Sequence, residues 1–358
     1  MSYADEYIKR SLRLNRVSEG EFSEDAKKLA ALKEKIRLQL NKLESGNFTA
    51  AVRNEVVLTI SSLIDDTFKS LAGKTQHIAK EAVRREVQWH VDIVNKFTDQ
   101  NVNTSALTLA FDQTINQEFQ GRTFQQWYEA TGITASRKAF NTIQAGIIAG
   151  DSITQITKAM ESIVNQNGHN VRTLVRSNIL SAANRSREIV VEENAELFDE
   201  KIWESTLDIR TTPHICGIRD QARYTLNNEP IGHDMPWEAG PGAIHFNCRS
   251  TFIPKLIGID IDAPRPSVGA GKDYDRGDNL TGAGRVRKPT KNNRESGIFQ
   301  IQRKPAGTKY EQWLRTQPKD FVADALGSAD KADAFKNGTS LADVTSNPFG
   351  TNLTIDEL

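Results

Sequence analysis

The chain changes character at WESTLDIRTTPHICGIRDQARY (203–224) and MPWEAGPGAIHFNCRSTFIP (235–254). Together with the spacer between them, these segments hold both cysteines of the chain and three of its six histidines: Cys216, Cys248, His214, His233 and His245. Glycine and proline cluster here, and short apolar stretches between turns predict strands at IWEST, ARYTL and STFIP. The sequence therefore predicts a small α+β module at about 201–256.

Upstream of this module, the first 200 residues predict long helices. Apolar residues recur at gaps of three and four positions over 29–43, 56–71 and 83–94, which places them on one face of each helix. Ser23 is the predicted cap of the first helix. Two arrangements remain open: a helix bundle, or long arms that pack against a partner. The narrow apolar stripe slightly favours the arms.

A second helical block is predicted from about residue 123. Ser152 and Gln155 have the spacing of a capping box, which predicts the start of a helix. Gly132 and Gly150 are predicted helix ends, and NQNGHN at 165–170 is a predicted turn.

Downstream, residues 263–307 are rich in Gly, Pro, Asn and charge. Apolar side chains are too sparse there to offset the entropy of ordering, which predicts a flexible linker. Two short helices are predicted, one around 310–314 and 320–326 and another around 331–335, with Gly338 as the end of the last.

Composition limits the classes of function open to the chain. Its 358 residues suffice for two or three ordinary domains. No apolar run approaches the roughly 18 residues of a membrane span, and the first residues lack a secretory h-region, so we expect neither membrane insertion nor secretion. Two cysteines suit a reducing compartment. A formal net charge of zero speaks against wholesale electrostatic binding of nucleic acid.

Three segments in order resemble the phage Mu F-like head morphogenesis proteins, also called minor head or minor capsid proteins. The resemblance is carried by Asp208, Arg210, Thr211, Cys216, Pro236, Pro241, His245, Asn247, Cys248, Arg249 and Pro254. The family's closing motif reads His-Pro-Asn-Cys-Arg-Cys, and here Phe246 replaces the proline and Ser250 the last cysteine. The helical lead-in at 124–200 and the tail segments TKYEQWLRTQPKDFVADALG and LTIDEL are also similar.

The resemblance, joined to the helical patterns, implies a mainly α protein in four parts. An elongated N-terminal helical region at 1–120 would dock on partners. A Mu F-like head morphogenesis domain would occupy 121–262, with the Cys/His module at 201–256. The flexible basic linker at 263–307 would lead to a short helical C-terminal tail at 308–358.

The function implied by the resemblance is that of a phage or prophage minor head protein. Such proteins join the head during assembly, often near the portal, and some are thought to act in DNA packaging or delivery. The expected partners are portal protein, scaffold or major capsid protein, with an oligomeric arrangement on the portal and no membrane. The expected locations are the virion and, during assembly, the host cytoplasm. The alternative is a DNA-binding accessory protein of the head.

The Cys/His cluster is a candidate zinc site. Thiolates and imidazoles suit Zn²⁺, which prefers four nitrogen or sulfur ligands in a tetrahedron. His245 and Cys248 form an H-x2-C pair that a tight turn could aim at one point, and Cys216 would come from a second loop. The fourth ligand would be His214 or His233, with His214 preferred.

Other interpretations of the same residues stay open. Buried free cysteines often behave as small hydrophobes, in which case His245 would simply bond backbone across a turn. A Cys216–Cys248 disulfide is a third possibility. Enzymatic activity is not expected, although His245 and Asn247 faintly suggest a metal-dependent nuclease. The segment GAGK at 269–272 lacks the spacing of a phosphate-binding loop.

Charged residues of the motif and linker have structural and binding interpretations. The motif residues Asp208, Arg210, Thr211, Asn247 and Arg249 are expected to do structural work. Arg210, with its several donors, could pair with Asp220 or Glu204, or it could face a partner protein or a DNA phosphate. The basic part of the linker could contact packaged double-stranded DNA through Arg285, Arg287, Lys288, Lys291 and Arg294, or it could be an ordinary solvated linker.

Overall fold

The computed structural model describes residues 2–43, 49–98, 102, 113–114, 117–274 and 297–345. Within these ranges the chain is mainly α-helical, as predicted. Long helices come first, a small strand-containing module follows, and short helices end the described part. None of the helices in these ranges is long and apolar enough to cross a membrane.

Four long helices form a bundle: α1 (Tyr3–Asn41), α2 (Ala50–Phe97), α3 (Phe124–Ala149) and α4 (Ile153–Glu192). The apolar stripes predicted at 29–43 and 56–71 meet in one core with side chains of α3 and α4. Of the two arrangements considered from the sequence, the described helices adopt the bundle. The predicted boundary at 120 therefore does not separate two hydrophobic cores.

The first helix begins earlier than predicted. Ser2, rather than Ser23, is its N-cap, and the Ser2 hydroxyl accepts a hydrogen bond from the amide of Asp5. Ser23 lies inside the continuous helix. The added turns are held because Tyr3 and Tyr7 are buried in the core that joins the helices to the module.

Two predicted breaks in the second helical block are also wrong. Residues 165–170 continue α4. The Asn167 side chain donates to the carbonyl of Ile163 at 2.9 Å, one turn earlier in the same helix, instead of forming a turn. Helix α3 passes through Gly132, where a Cβ would lie 2.6 Å from the Cβ of Phe68. Glycine at this position therefore allows α2 and α3 to approach closely, rather than ending a helix.

The other two local predictions in this block are confirmed. Gly150 ends α3 with φ of 76°, a left-handed conformation that glycine adopts without strain. Ser152 and Gln155 form the capping box at the start of α4, with side chain and backbone bonds in both directions.

The module contains a four-stranded antiparallel sheet in the order β4-β3-β1-β5. Its strands are β1 (Phe198–Glu204), β3 (Arg223–Tyr224), β4 (Pro230–Ile231) and β5 (Thr251–Leu256). The predicted strands IWEST, ARYTL and STFIP thus correspond to β1, β3 and β5. Trp203, Trp237 and Phe252 pack in one core with the ends of α2 and α4.

A second, three-stranded sheet replaces part of the predicted linker. It has the order β2-β6-β7, with β2 (Leu207–Asp208) parallel to β6 (Arg265–Ala270) and β6 antiparallel to β7 (Phe299–Lys304). The prediction of a flexible linker is therefore wrong at both ends of 263–307. The error has a physical cause: β6 buries Arg265 and Ser267, so its inward face is polar and gives no apolar signal.

The described part of the tail folds into four short helices: the first predicted helix is divided into two, the second is present, and the last was not predicted. They are α5 (Tyr310–Arg315), α6 (Lys319–Leu326), α7 (Ala329–Lys336) and α8 (Leu341–Thr345). Trp313, Phe321 and Phe335 form a separate core with Leu207 and Phe299 of the second sheet. The described part of the tail is therefore packed against the module. The closing LTIDEL lies outside the described residues.

Candidate metal centre

Cys216 is placed by a short π-helical turn, Pro213–Gly217, that follows β2. The amides of Cys216 and Gly217 both donate to the carbonyl of Thr212 at 2.9 Å. Bonds from two successive amides to one carbonyl fix the backbone of the turn, and the thiol of Cys216 is buried against the module core.

His245 and Cys248 come from the turns that lead into β5, which lie against α4. Gly242 in this segment has φ of 81°, and a Cβ there would lie 2.8 Å from the carbonyl oxygen of Leu180. Only glycine allows this approach. The Gly242 amide donates to the sulfur of Cys248 at 3.2 Å, so the same loop that holds the cysteine in place also hydrogen-bonds its sulfur.

The three side chains meet. The Sγ of Cys216 lies 3.0 Å from Nε2 of His245 and 3.7 Å from the Sγ of Cys248. All three potential ligand atoms lie within 4.8 Å of one another. Both cysteines are buried and unbridged, so the disulfide considered from the sequence is not formed in this structure.

The orientation of His245 favours binding of a metal ion through its Nε2 atom. Its Nδ1 lies 2.7 Å from the carbonyl oxygen of Phe246, which can only accept, so Nδ1 carries the proton and donates. In the neutral imidazole, that tautomer leaves the lone pair of Nε2 on the side of the two sulfurs. A backbone carbonyl on the far nitrogen is the usual way in which a protein orients a histidine that binds metal.

The two thiols have different acidities. Burial opposes ionisation of Cys248, but hydrogen bonds from Cys216, His245 and the Gly242 amide outweigh it, and its pKa is well below the ordinary value. The hydrogen bond to Cys248 and burial raise the pKa of Cys216. Burial lowers the pKa of His245, but its bond to Cys248 outweighs this and raises the pKa overall. Cys248 is therefore the thiol best prepared to act as an anionic ligand.

Among the described residues, this group is the one set of histidine, cysteine and carboxylate side chains placed to hold a metal ion. It does not include His214, the predicted fourth ligand. His214 lies two positions before Cys216 on a helical turn, where residues two apart do not share a face. His233 is engaged elsewhere: its Nε2 donates to the carbonyl of Arg223 at 2.9 Å. The protein thus supplies three soft ligands.

Asp208 and Arg249 connect the two halves of the motif. The guanidinium of Arg249 donates to both carboxylate oxygens of Asp208, at 2.6 and 2.5 Å, and both side chains are nearly buried. Burial raises the pKa of Asp208, but the charge and hydrogen bonds of Arg249 outweigh it and hold the pKa below its usual value. The hydroxyl of Thr211 lies 2.9 Å from that of Thr206 across the same turn.

Arg210 does not pair with the acids proposed for it from the sequence. It lies 3.8 Å from Asp208, and its amide donates to the same carboxylate at 2.9 Å. Asp220 and Glu204 instead bind Arg265 at 2.8 and 2.7 Å. Arg265 stands at the start of β6, in the segment predicted to be a linker, so no sequence pattern indicated it as a partner.

Asn247 joins the motif loop to α4. Its φ of 62° is left-handed, a conformation that asparagine tolerates better than most residues. Its amide nitrogen donates to Thr173 Oγ1 at 2.9 Å, its backbone amide donates to Ser177 Oγ at 3.0 Å, and its side-chain oxygen accepts from Arg176 at 3.2 Å.

A cleft of about 670 Å³ opens beside the motif, between α1, α4 and the second sheet. It is lined by five arginines: Arg16, Arg172, Arg176, Arg210 and Arg249. The sequence analysis assigned no role to Arg16, Arg172 or Arg176. One signal was available, because Arg172 and Arg176 are four residues apart and so share a helix face.

The predicted DNA contacts Arg285, Arg287, Lys288, Lys291 and Arg294 lie outside the described residues. No protein-family model, curated protein or solved structure matches the chain. Its function is therefore inferred from the geometry of the site and from the motifs that the sequence carries.

Proposed function

We propose that the protein is a minor head protein of a phage or prophage that acts in head morphogenesis, near the portal. The observation that supports this is the convergence of the motif residues. Cys216, from the first motif segment, meets His245 and Cys248, from the second, and Asp208 pairs with Arg249 across the same two segments. A chance likeness of short motifs would not be expected to bring the matched side chains into contact.

The Cys216–His245–Cys248 group acts in this proposal as a structural zinc site. Two thiolates and an imidazole are the ligands that Zn²⁺ prefers, and hard cations such as Mg²⁺ prefer oxygen. The group contains no carboxylate. This donor set does not suit the oxygen-preferring metal ion of the nuclease considered from the sequence, and a water would occupy the fourth position of the zinc tetrahedron in this proposal.

The bundle offers a surface for docking on a head component. Ile133, Phe140 and Ile148 on α3 are 67%, 43% and 84% exposed. Their spacing of seven and eight residues places them along one side of the helix. Isolated exposed apolar residues are ordinary, but a row of large ones on one helix is typical of an interaction surface. Portal protein, scaffold and major capsid protein are the proposed partners.

Co-assembly tests this function. The protein is expressed together with the portal and major capsid proteins of its phage, and the lysate is separated on a sucrose gradient. We expect it to co-sediment with portal rings or procapsids. Recovery only in the slow-sedimenting soluble pool, while the portal and capsid proteins assemble, would contradict the proposal.

A further inference from the structure

The arginine-lined cleft carries more positive charge than its own acids balance. Five guanidiniums line it, together with three carboxylates: Glu19, Glu204 and Asp208. Glu204 is bonded to Arg265, outside this set of five. Two carboxylates therefore face five arginines within a partly enclosed space.

The pairing inside the cleft shows how the charge is shared. Glu19 of α1 receives hydrogen bonds from both Arg172 and Arg176, so one carboxylate serves two guanidiniums. Asp208 is held by Arg249 with two bonds, and Arg210 reaches it only at 3.8 Å. Arginines so close together, with so few counter-charges, attract a further anion.

Two of these arginines are incompletely satisfied. Arg176 is only 8% exposed, and its Nε has no hydrogen-bond partner among the described residues. Burial, together with the positive charges of Arg249 and Arg176, lowers the pKa of Arg210 to about 10, against the opposing charge of Asp208. A buried donor without a partner costs free energy, so a ligand that accepts from these groups would be stabilised.

The other wall of the cleft is apolar. Leu12 of α1, Val268 of β6 and Ile301 of β7 line it, and Leu12 and Ile301 are 39% and 58% exposed. A volume of about 670 Å³ is in the range of sites that hold a small organic molecule. The cleft therefore combines a cationic end with an apolar side.

We propose that this cleft binds a phosphate monoester of about nucleotide size, with the phosphate against Arg176 and Arg210 and the remainder of the ligand against Leu12 and Ile301. Guanidinium forks match phosphate oxygens in pairs, and a dianion neutralises the surplus of positive charge better than a single carboxylate does. The phosphate could belong to a free nucleotide or to the phosphorylated end of a nucleic-acid strand, and these two sources share the same chemistry.

The site depends on the motif loop for its geometry. Asn247 holds the guanidinium of Arg176 through its side-chain oxygen at 3.2 Å, and Arg249 follows Cys248 directly. The cleft thus lies beside the candidate metal centre, but its ligand contacts none of the three metal-binding side chains in this proposal. The proposal does not depend on a role in head assembly.

Titration calorimetry on the full-length protein tests the site. Adenosine 5′-monophosphate, inorganic phosphate, adenosine and a 5′-phosphorylated oligonucleotide are each titrated at constant ionic strength, set with chloride. We expect the monophosphate to bind and adenosine not to bind. Binding of the free nucleotide over the oligonucleotide identifies a nucleotide site, and the reverse identifies a strand-end site. Absence of binding by every phosphate compound would overturn the proposal.

Variants separate the cleft from non-specific attraction. Arg210→Gln, whose side chain is about one-third exposed, should fold and weaken monophosphate binding about tenfold or more, since it removes a charged hydrogen-bond donor. Arg176→Gln should weaken it similarly if circular dichroism shows it folded. Arg137→Gln, an exposed arginine on α3 outside the cleft, is the matched control and should bind as the wild type does. Equal affinity in Arg210→Gln and Arg137→Gln would overturn the proposal.

Discussion

Arg187 of α4 and Glu86 of α2 form an ion pair in which both side chains are completely buried. The same guanidinium donates to the carbonyl of Phe252 at 2.9 Å and to the hydroxyl of Thr251, both on β5. The other oxygen of Glu86 accepts from Arg10 of α1 at 2.8 Å. Three helices and the first sheet therefore meet at one charged group, which fixes the module on the end of the bundle.

Removing one partner of this pair should be costly. Glu86→Ala leaves the Arg187 charge buried without its counter-ion, which typically lowers the free energy of unfolding by about 3–5 kcal/mol. Urea denaturation followed by circular dichroism measures the change. Glu81→Ala is the control, because Glu81 pairs with Arg84 and Arg85 on the exposed side of the same helix, and its loss should lower the free energy of unfolding far less. Similar decreases in the free energy of unfolding of both variants would show that the buried pair contributes no more to stability than the exposed pairs do.

The candidate metal centre predicts one zinc per chain in the purified protein. Cys216→Ser and Cys248→Ser should each lose it, because either change removes one of only three soft ligands. Elemental analysis of the purified variants measures the metal. His233→Gln is the matched control and should retain the zinc, since His233 bonds backbone outside the group.

Chelation gives a second measurement of the same site. If zinc holds the loops of Cys216 and Cys248 together, its removal should lower the melting temperature of the wild type and leave that of Cys248→Ser unchanged. A metal-free wild type that melts at the same temperature with and without added zinc would show that the group is ordinary core, the other interpretation considered from the sequence.

Local signals explain why some parts of the fold could be read from the sequence. The capping box of Ser152 and Gln155 and the left-handed Gly150 depend on neighbours within a few residues, and both were predicted. The contact of Cys216 with His245 and Cys248 was also expected. That expectation rested on the suitability of these side chains as zinc ligands and on the family resemblance, because no local pattern places Cys216 near the other two. The apolar faces of the bundle helices could be predicted because their apolar residues recur at helical spacing.

Long-range polar contacts explain which parts of the fold could not be predicted from the sequence. Arg265 binds Asp220, 45 residues away, and its segment reads as linker because polar groups occupy its buried face. Ser23 and Ser2 are equally good caps by residue type. The choice between them is made by tertiary packing of Tyr3 and Tyr7, which no local pattern contains.

The buried acid Glu204 predicts a pH dependence of stability. Burial and the charge of Asp220 raise its pKa from 4.5 to about 7, against the opposing charge of Arg265. Between about pH 4.5 and 7 the folded protein keeps a proton that the unfolded chain releases. The free energy of unfolding should therefore fall as pH rises through this window, by on the order of 3 kcal/mol, and stay level above it.

The variant Glu204→Gln isolates this contribution, because its side chain is neutral at every pH. Denaturant unfolding at pH 5, 6, 7 and 8 should give a shallower decline than in the wild type. Glu196→Gln, at an exposed position, makes the same change in net charge and should keep the wild-type decline. If the two variants decline in parallel, Glu204 is not the group that titrates.

The exposed apolar residues Ile133, Phe140 and Ile148 on α3 predict which surface of the protein docks on a head component. Ile133→Gln combined with Phe140→Gln should leave the melting temperature within a few degrees of the wild type, since both side chains face solvent. Co-sedimentation with portal rings or procapsids should fall about tenfold or more, because large apolar side chains carry much of the energy of such interfaces. Leu38→Gln, at an exposed apolar position on α1, is the control and should assemble normally. Undiminished co-sedimentation of the double variant would mean that docking uses another face of the bundle.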